Sequence, residues 1–578
     1  MSDPLLSIEA LTIEAIGNQE VRRQEPRLLN ELSLSIESGE VLGVIGESGA
    51  GKSTLGLAAM GYIRPGCRIA GGRVSFGGRD ILTLPPKTLR RIRGARISYI
   101  AQSPAASLNP AKRLGDQVAE ALFLHRGVEW KEAKTRAASL FEELGLPSPG
   151  IFGDRFPHQV SGGQLQRAMI AMALICAPQL LILDEPTTAL DVTTQIEVLA
   201  VIRATLRRHA ISAIYITHDL ALVAQLADRL LVLRHGRMVE TGTTEDILRH
   251  PVRDYTRRLI ATHERPAPLP PAEVSNAPIA REPSALAIDA LSASYRELPN
   301  VLRDISLNLD KGKTLAIVGT SGSGKSTLAR VICGLQPQST GTISLFGEPL
   351  PSRLRDRSAE QLRRIQLVYQ LSDTALNPGQ PVGFMLGRAV SFHFGGRRAK
   401  VRARVEELLD MVGLSRSLVG RKPSQLSGGQ KQRIGIARAL AACPEVIICD
   451  EITSSLDSLI AEDILALLRQ LQRTTGAAYI FITHDIGVVR RIADDVAVLR
   501  SGNIVAKGSI DDVFSPPYHP YTQLLLSSVP EMRTDWLTDV LKTHLHRPSG
   551  EPVALIPGAE EAALPDPPNP KQALGAWR

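Results

Sequence analysis

The chain has 578 residues, 43% hydrophobic and 22% charged, which excludes a disordered, collagen-like or disulfide-scaffold polymer and predicts several domains or a duplicated one. Lys plus Arg number 67 against 59 Asp plus Glu, a net charge of +8 that suits nucleotides, nucleic acid or an anionic membrane without choosing among them. The five cysteines are never spaced C-x-x-C and no stretch reaches the roughly 20 apolar residues that span a bilayer, so a reduced, cytoplasmic setting and a peripheral membrane role are expected.

In chain order, the first strong signal is the apolar run VLGVI (41–45), read as a buried strand, followed by GESGAGKST (46–54) and a helical stretch. G-x-x-x-x-G-K-[ST] between a strand and a helix is a phosphate-binding loop. Its glycines let backbone N–H groups curl around phosphates, and the helix N-terminus adds the positive end of its dipole. The candidate contacts are Gly46, Glu47, Ser48, Gly49, Ala50, Gly51, Lys52, Ser53 and Thr54, with Lys52 neutralising phosphate charge and Ser53 ligating Mg²⁺. The next apolar strand, LLIL (180–183), delivers Asp184 and Glu185 at its carboxyl end. Asp184 there is placed to hold Mg²⁺ and Glu185 to accept a proton from attacking water. A third strand, AIYIT (213–217), precedes His218.

The same series then repeats. GTSGSGKST (319–327) supplies Gly319, Thr320, Ser321, Gly322, Ser323, Gly324, Lys325, Ser326 and Thr327, with Lys325 273 residues after Lys52. SGGQLQR (161–167), LDEPTTALD (183–191) and ITHD (216–219) recur as SGGQKQR (427–433), CDEITSSLD (449–457) and ITHD (482–485), each 266 residues later. The second copy thus carries Asp450, Glu451 and His484, and each histidine follows its aspartate by 34 positions. A period this long marks a tandem duplication of one domain, not a solenoid. Alternating strands and helices in each copy predict an α/β fold with a mainly parallel sheet. The expected division is 5–261 and 285–532 for the two domains, an extended linker at 262–284 with six prolines between 265 and 283, and a C-terminal extension at 533–578 that is partly disordered.

With SGGQ-x-QR between the phosphate loop and the Asp-Glu strand, both halves resemble the nucleotide-binding domains of ABC transporters over about 500 residues. The resemblance implies two tandem P-loop NTPase domains, each with an antiparallel β subdomain and an α-helical subdomain beside the core sheet. It implies ATP and Mg²⁺ as ligands. It also makes Gln102 and Gln370 the glutamines that touch Mg²⁺ and the attacking water, and His218 and His484 the switch histidines. Asp191 and Asp457 resemble the D-loop residues, and Ser161, Gly162, Gly163, Gln164 and Ser427, Gly428, Gly429, Gln430 the signature motifs. The domains are then expected to pair head to tail. One composite site uses Lys52, Glu185 and His218 with Ser427 to Gln430, and the other Lys325, Glu451 and His484 with Ser161 to Gln164. Tyr295 matches the position that stacks on adenine, where the first copy has Ala15 beside an apparent insertion at 17–26.

SLNP (107–110), ALNP (375–378), FPHQVSGGQ (156–164) and HPYTQLLLSSVP (519–530) resemble the oligopeptide, dipeptide and nickel importer branch; the first copy reads Arg253-Asp254-Tyr255-Thr256 where the second has His519-Pro520-Tyr521-Thr522. That branch implies two transmembrane permease subunits, an indirect extracytoplasmic solute-binding protein, a peripheral position on the cytoplasmic face of the bacterial inner membrane, and no nucleic acid. A soluble twin-cassette ATPase acting on ribosomes or nucleic acid is the alternative. The proline-rich, nearly uncharged linker speaks against it.

Overall fold

The computed structural model describes residues 3–16, 27–188, 190–261, 284–295, 299–369, 375–454 and 456–545. The expected linker (all but residue 284), the 17–26 insertion and Gln370 lie outside them.

Each copy builds one six-stranded sheet. In the first the order is Arg237–Thr243, Arg229–Arg234, Val41–Ile45, Ser212–Ile216, Leu180–Asp184, Ile97–Ile100. In the second it is Asn503–Ser509, Asp495–Arg500, Thr314–Val318, Ala478–Ile482, Val446–Asp450, Ile365–Val368. All neighbours run parallel except the hairpin at one edge. The central strands are buried along their whole length, as VLGVI and TLAIV require when helices cover both faces. The registers coincide as well: Leu180 pairs with Ser212 and Val446 with Ala478, both shifted by the 266 residues of the repeat.

A second, antiparallel sheet in each copy is formed around Leu6–Ala15 and Leu286–Ala293. Alternating burial along these strands turns Leu6, Ile8, Leu11 and Ile13, or Leu286, Ile288 and Leu291, into the core that also holds the phosphate-loop strand. A helical subdomain completes each unit, from Leu114–Arg126, Trp130–Glu143 and Gly162–Leu174 in the first and Val382–Phe394, Arg398–Met411 and Gly428–Leu440 in the second. The fold class is therefore the one expected.

The two units interlock. Val192 of the first sits in an apolar cluster with Ala316, Val318 and Val498 of the second, while Leu459 of the second packs against the core of the first. A helix at Trp536–Leu545, inside the stretch assigned to the C-terminal extension, crosses back to the first unit. There Trp536, Leu537 and Val540 join the core formed by Leu199, Ile202 and Leu222. No helix among the described residues is long and apolar enough to cross a membrane.

Candidate functional site

Both phosphate loops begin on a glycine that nothing larger can replace. Gly46 has φ 149°, and a Cβ there would lie 2.1 Å from the Leu233 carbonyl oxygen; at Gly319, with φ 158°, the Leu499 carbonyl oxygen would be 2.2 Å away. The chain then turns into the helices Lys52–Ala59 and Lys325–Ile332, which point their N-termini at the loop. Lys52 Nζ donates to the carbonyls of Gly46 (2.6 Å) and Glu47 (3.0 Å), and Lys325 Nζ to those of Gly319 (2.8 Å) and Thr320 (2.9 Å). Each ammonium is buried. Its pKa is lowered by burial, against the pull of Glu185, Asp457 and Asp184 on Lys52, and of Glu451, Asp191 and Asp450 on Lys325.

A hydroxyl and a carboxylate converge at the foot of each loop. Ser53 Oγ donates to Asp184 Oδ1 at 3.0 Å and Ser326 Oγ to Asp450 Oδ1 at 3.2 Å. Both aspartates are raised by burial. The following glutamates adopt left-handed backbone, φ 50° at Glu185 and 48° at Glu451, and are held there by N–H bonds of 2.9 Å to the carbonyls of Ile216 and Ile482. A non-glycine residue in that region costs of order 1–3 kcal/mol, and the same cost recurs at the same position in both copies.

The glutamates face the histidines. His218 Nδ1 lies 3.4 Å from Glu185 Oε1, and His484 Nδ1 lies 3.6 Å from Glu451 Oε1. Gln102 Nε2 and Thr188 Oγ1 both donate to Glu185 Oε2, at 2.9 and 3.1 Å. Burial opposes the charge on Glu185, but bonding and charge from His218, then Lys52, outweigh it and the carboxyl sits below its ordinary value; Glu451 is lowered by the same balance with His484 and Lys325. His218 is correspondingly raised, with Glu185 overcoming burial.

Asp191 and Asp457 each cap a helix of their own unit and reach into the other. Asp191 accepts from the Thr194 N–H (3.2 Å) and Thr193 Oγ1 (2.7 Å), and its Oδ2 accepts the Ser321 N–H at 3.3 Å. Asp457 accepts the Ile460 N–H at 3.0 Å, and its Oδ2 accepts the Ser48 N–H at 3.3 Å. Each unit therefore contacts the third residue of the other's phosphate loop, which is a head-to-tail pairing. The signature serines act locally. Ser161 and Gln164, like Ser427 and Gln430, form reciprocal capping boxes at the starts of Gly162–Leu174 and Gly428–Leu440.

The ABC transporter family profile matches residues 29–188 and 302–454, the two segments that carry these sites. A profile for the oligopeptide/dipeptide transporter C-terminal region matches 505–551. The chain is 36% identical to a glutathione import ATP-binding protein, GsiA, of Salmonella paratyphi A, over 96% of each chain. It is 38% identical to the protein of that name from Escherichia coli O157:H7, over 96% of this chain and 94% of the relative. The chain belongs to the ATP-binding proteins of ABC transporters. As an ABC ATPase it binds and hydrolyses ATP in service of a membrane transporter.

Within this ABC protein the structure gathers the predicted phosphate loops, carboxylates and histidines, with Gln102 at the first site; Gln370 lies outside the described residues. Tyr295 Oη is 3.5 Å from Thr327 Oγ1, beside the second loop's helix. Ala15 occupies the equivalent place, because Ile13 and Ala293, two residues earlier, pair with Leu29 and Leu302, themselves 273 apart. Two contributions went unread in the sequence. Tyr99 donates to Asp184 Oδ2 at 2.6 Å from the neighbouring strand, where the second copy has Leu367. Tyr255 and Tyr521 bond the phosphate loops themselves. A tyrosine repeated at a 266-residue shift was the available signal for the latter pair.

Proposed function

We propose that the chain is the ATP-hydrolysing motor of an importer for peptides or related small solutes, working at two composite sites through ATP-driven closure of its cassettes. The observation that carries this reading is the reciprocal reach of Asp191 and Asp457 to the opposite phosphate loops, within a chain alike end to end to import ATP-binding proteins. Closure of such a sandwich brings each signature helix N-terminus, with its capping Ser161 or Ser427, toward the nucleotide on the other cassette.

Chemically, Lys52 and Lys325 exchange their carbonyl partners for phosphate oxygens, and the loop N–H groups cradle the same anion. Mg²⁺ fits the Ser53–Asp184 and Ser326–Asp450 pairs, since it takes one or two protein oxygens and completes its shell with phosphate and water. When bound it would neutralise charge on the transferred phosphoryl group. Glu185 and Glu451, ionised and oriented by His218 and His484, accept the proton of the attacking water, and Gln102 holds Glu185 in place.

Tyr295 stacks on adenine at the site of Lys325, whereas Ala15 offers the other site no ring. Stacking is worth about 1–3 kcal/mol, so nucleotide titration of the full chain is expected to resolve two affinities, and Tyr295→Ala to merge them. One affinity in the unmodified chain discards the assignment.

The partners are two transmembrane permease subunits, supplied by an extracytoplasmic solute-binding protein, and the chain docks on them at the cytoplasmic face of the bacterial inner membrane. Glutathione, the solute in the relatives' names, is a tripeptide and the first cargo to try. Reconstitution with its permeases in liposomes is expected to give ATPase activity stimulated by peptide-loaded binding protein. Stimulation by ribosomes or nucleic acid with no membrane partner would overturn the transport reading.

A further inference from the structure

The first two peptide units of each phosphate loop are a hub. The Glu47 carbonyl accepts from Lys52 Nζ and from the Ala50 N–H, both at 3.0 Å, and the Thr320 carbonyl accepts from Lys325 Nζ (2.9 Å) and the Ser323 N–H (3.2 Å). Lys52 Nζ also donates to the Gly46 carbonyl at 2.6 Å and Lys325 Nζ to that of Gly319 at 2.8 Å, so the lysine hangs on two successive peptide planes. The amide on the far edge of the first of these planes, Gly46–Glu47 or Gly319–Thr320, is held from far along the chain. The Glu47 N–H donates to Tyr255 Oη at 3.2 Å, and the Thr320 N–H donates to Tyr521 Oη at 3.1 Å. Thr320 Oγ1 also lies 3.0 Å from Tyr521 Oη, so the second clasp holds the side chain as well as the backbone.

The tyrosines are fixed independently of the loop. They sit on the helices Asp254–Ala261 and Pro520–Ser527 and are 9% and 5% exposed. The Arg234 and Arg500 guanidinium carbons stand 4.6 and 5.0 Å from their ring centroids. These arginines end the strands whose preceding residues, Leu233 and Leu499, press their carbonyls against Gly46 and Gly319. Ring, strand end and loop thus form one rigid corner, and burial, with the Glu47 carboxylate adding to it, pushes the Tyr255 phenol up to about 12, so it is protonated at neutral pH.

We propose that Tyr255 and Tyr521 are positioning residues that hold the first peptide of each phosphate loop, Gly46–Glu47 and Gly319–Thr320, and through its carbonyl Lys52 and Lys325, in the orientation that receives phosphate. The proposal rests on the ATP-binding reading of the loops. It gives the segment matched as the oligopeptide/dipeptide transporter C-terminal region a task at the nucleotide, with Tyr255 doing the same for the first cassette.

The test is the full chain with Tyr255→Phe and Tyr521→Phe, which keeps both rings under their arginines and removes only the hydroxyls. A clasp of this kind is expected to weaken ATP and ADP binding about 3–10-fold, read by displacement of a fluorescent ATP analogue, with the apo melting temperature nearly unchanged. Wild-type affinity in the double variant, with the unmodified chain binding ATP, overturns the proposal alone. An unmodified chain that binds no ATP overturns it together with the ATP-binding reading. A lower melting temperature with unaltered affinity makes the tyrosines packing residues and also overturns it. Should the variants not fold, hydrogen exchange on the unmodified chain decides. Slow exchange at the Glu47 and Thr320 amides is expected, and exchange at the rate of an open amide refutes the clasp.

Discussion

Replacing Glu185 and Glu451 together by Gln is expected to cut ATP turnover about 10²–10⁴-fold while leaving ATP bound, the range a positioned general base contributes. Three features concentrate the chemistry on these carboxylates. Each stands in left-handed backbone at the end of the strand that also delivers Asp184 or Asp450. Each faces a histidine at 3.4 or 3.6 Å. Each is held ionised below its ordinary pKa despite burial. Gln preserves the shape and the backbone geometry but cannot take a proton, so the loss falls on hydrolysis and not on the lysines or loop amides that bind phosphate. Phosphate release and ATP titration on the same preparation separate the two. Hydrolysis at the wild-type rate in the double variant removes both glutamates from the mechanism. Either single variant is expected to keep one competent carboxylate and show an intermediate rate.

What the sequence revealed and what it hid divide by distance along the chain. The loops were legible because G-x-x-x-x-G-K-S writes a local backbone path: Gly46 and Gly319 are glycines because a Cβ would strike the adjacent strand. The Asp-Glu pairs were legible because an apolar run ends on them. The resemblance gave Asp191 as a D-loop residue but not its reach to Ser321, since no local pattern distinguishes a helix-capping aspartate from one that also crosses to another domain. Tyr99 escaped because its contact with Asp184 depends on the register of two strands 85 residues apart in the chain. The clasps of Tyr255 and Tyr521 span 208 and 201 residues. Nothing in the residue type Glu forecasts a positive φ at 185 or 451, because that conformation is imposed by the strand neighbour that accepts its N–H.

The largest stability effect is expected at Trp536, which falls within the C-terminal extension of the sequence and is 2% exposed in the core of the first cassette. Truncating a buried tryptophan costs about 3–5 kcal/mol, more than a ten-residue helix docked by a few apolar side chains can spare. Trp536→Ala is therefore expected to release the Trp536–Leu545 helix without unfolding the cassettes. Its polar anchor is Gln225, itself 3% exposed: Nε2 donates to the carbonyls of Glu531 (3.1 Å) and Arg533 (2.7 Å), and Oε1 accepts the Leu537 N–H at 3.0 Å. Gln225→Ala leaves those backbone groups without their partner, at about 1–3 kcal/mol for each one that stays buried. Gln225 also lies just beyond the short helix Leu220–Val223, which Asp219 caps directly after His218. The end of the second cassette thereby braces the segment that carries the first cassette's histidine. Hydrogen exchange reads the outcome: in Trp536→Ala, amides of 536–545 are expected to lose protection first, with faster exchange spreading to 219–225. Full protection of 536–545 in that variant would show that the helix is held by other means, and the brace on the histidine segment would fall with it.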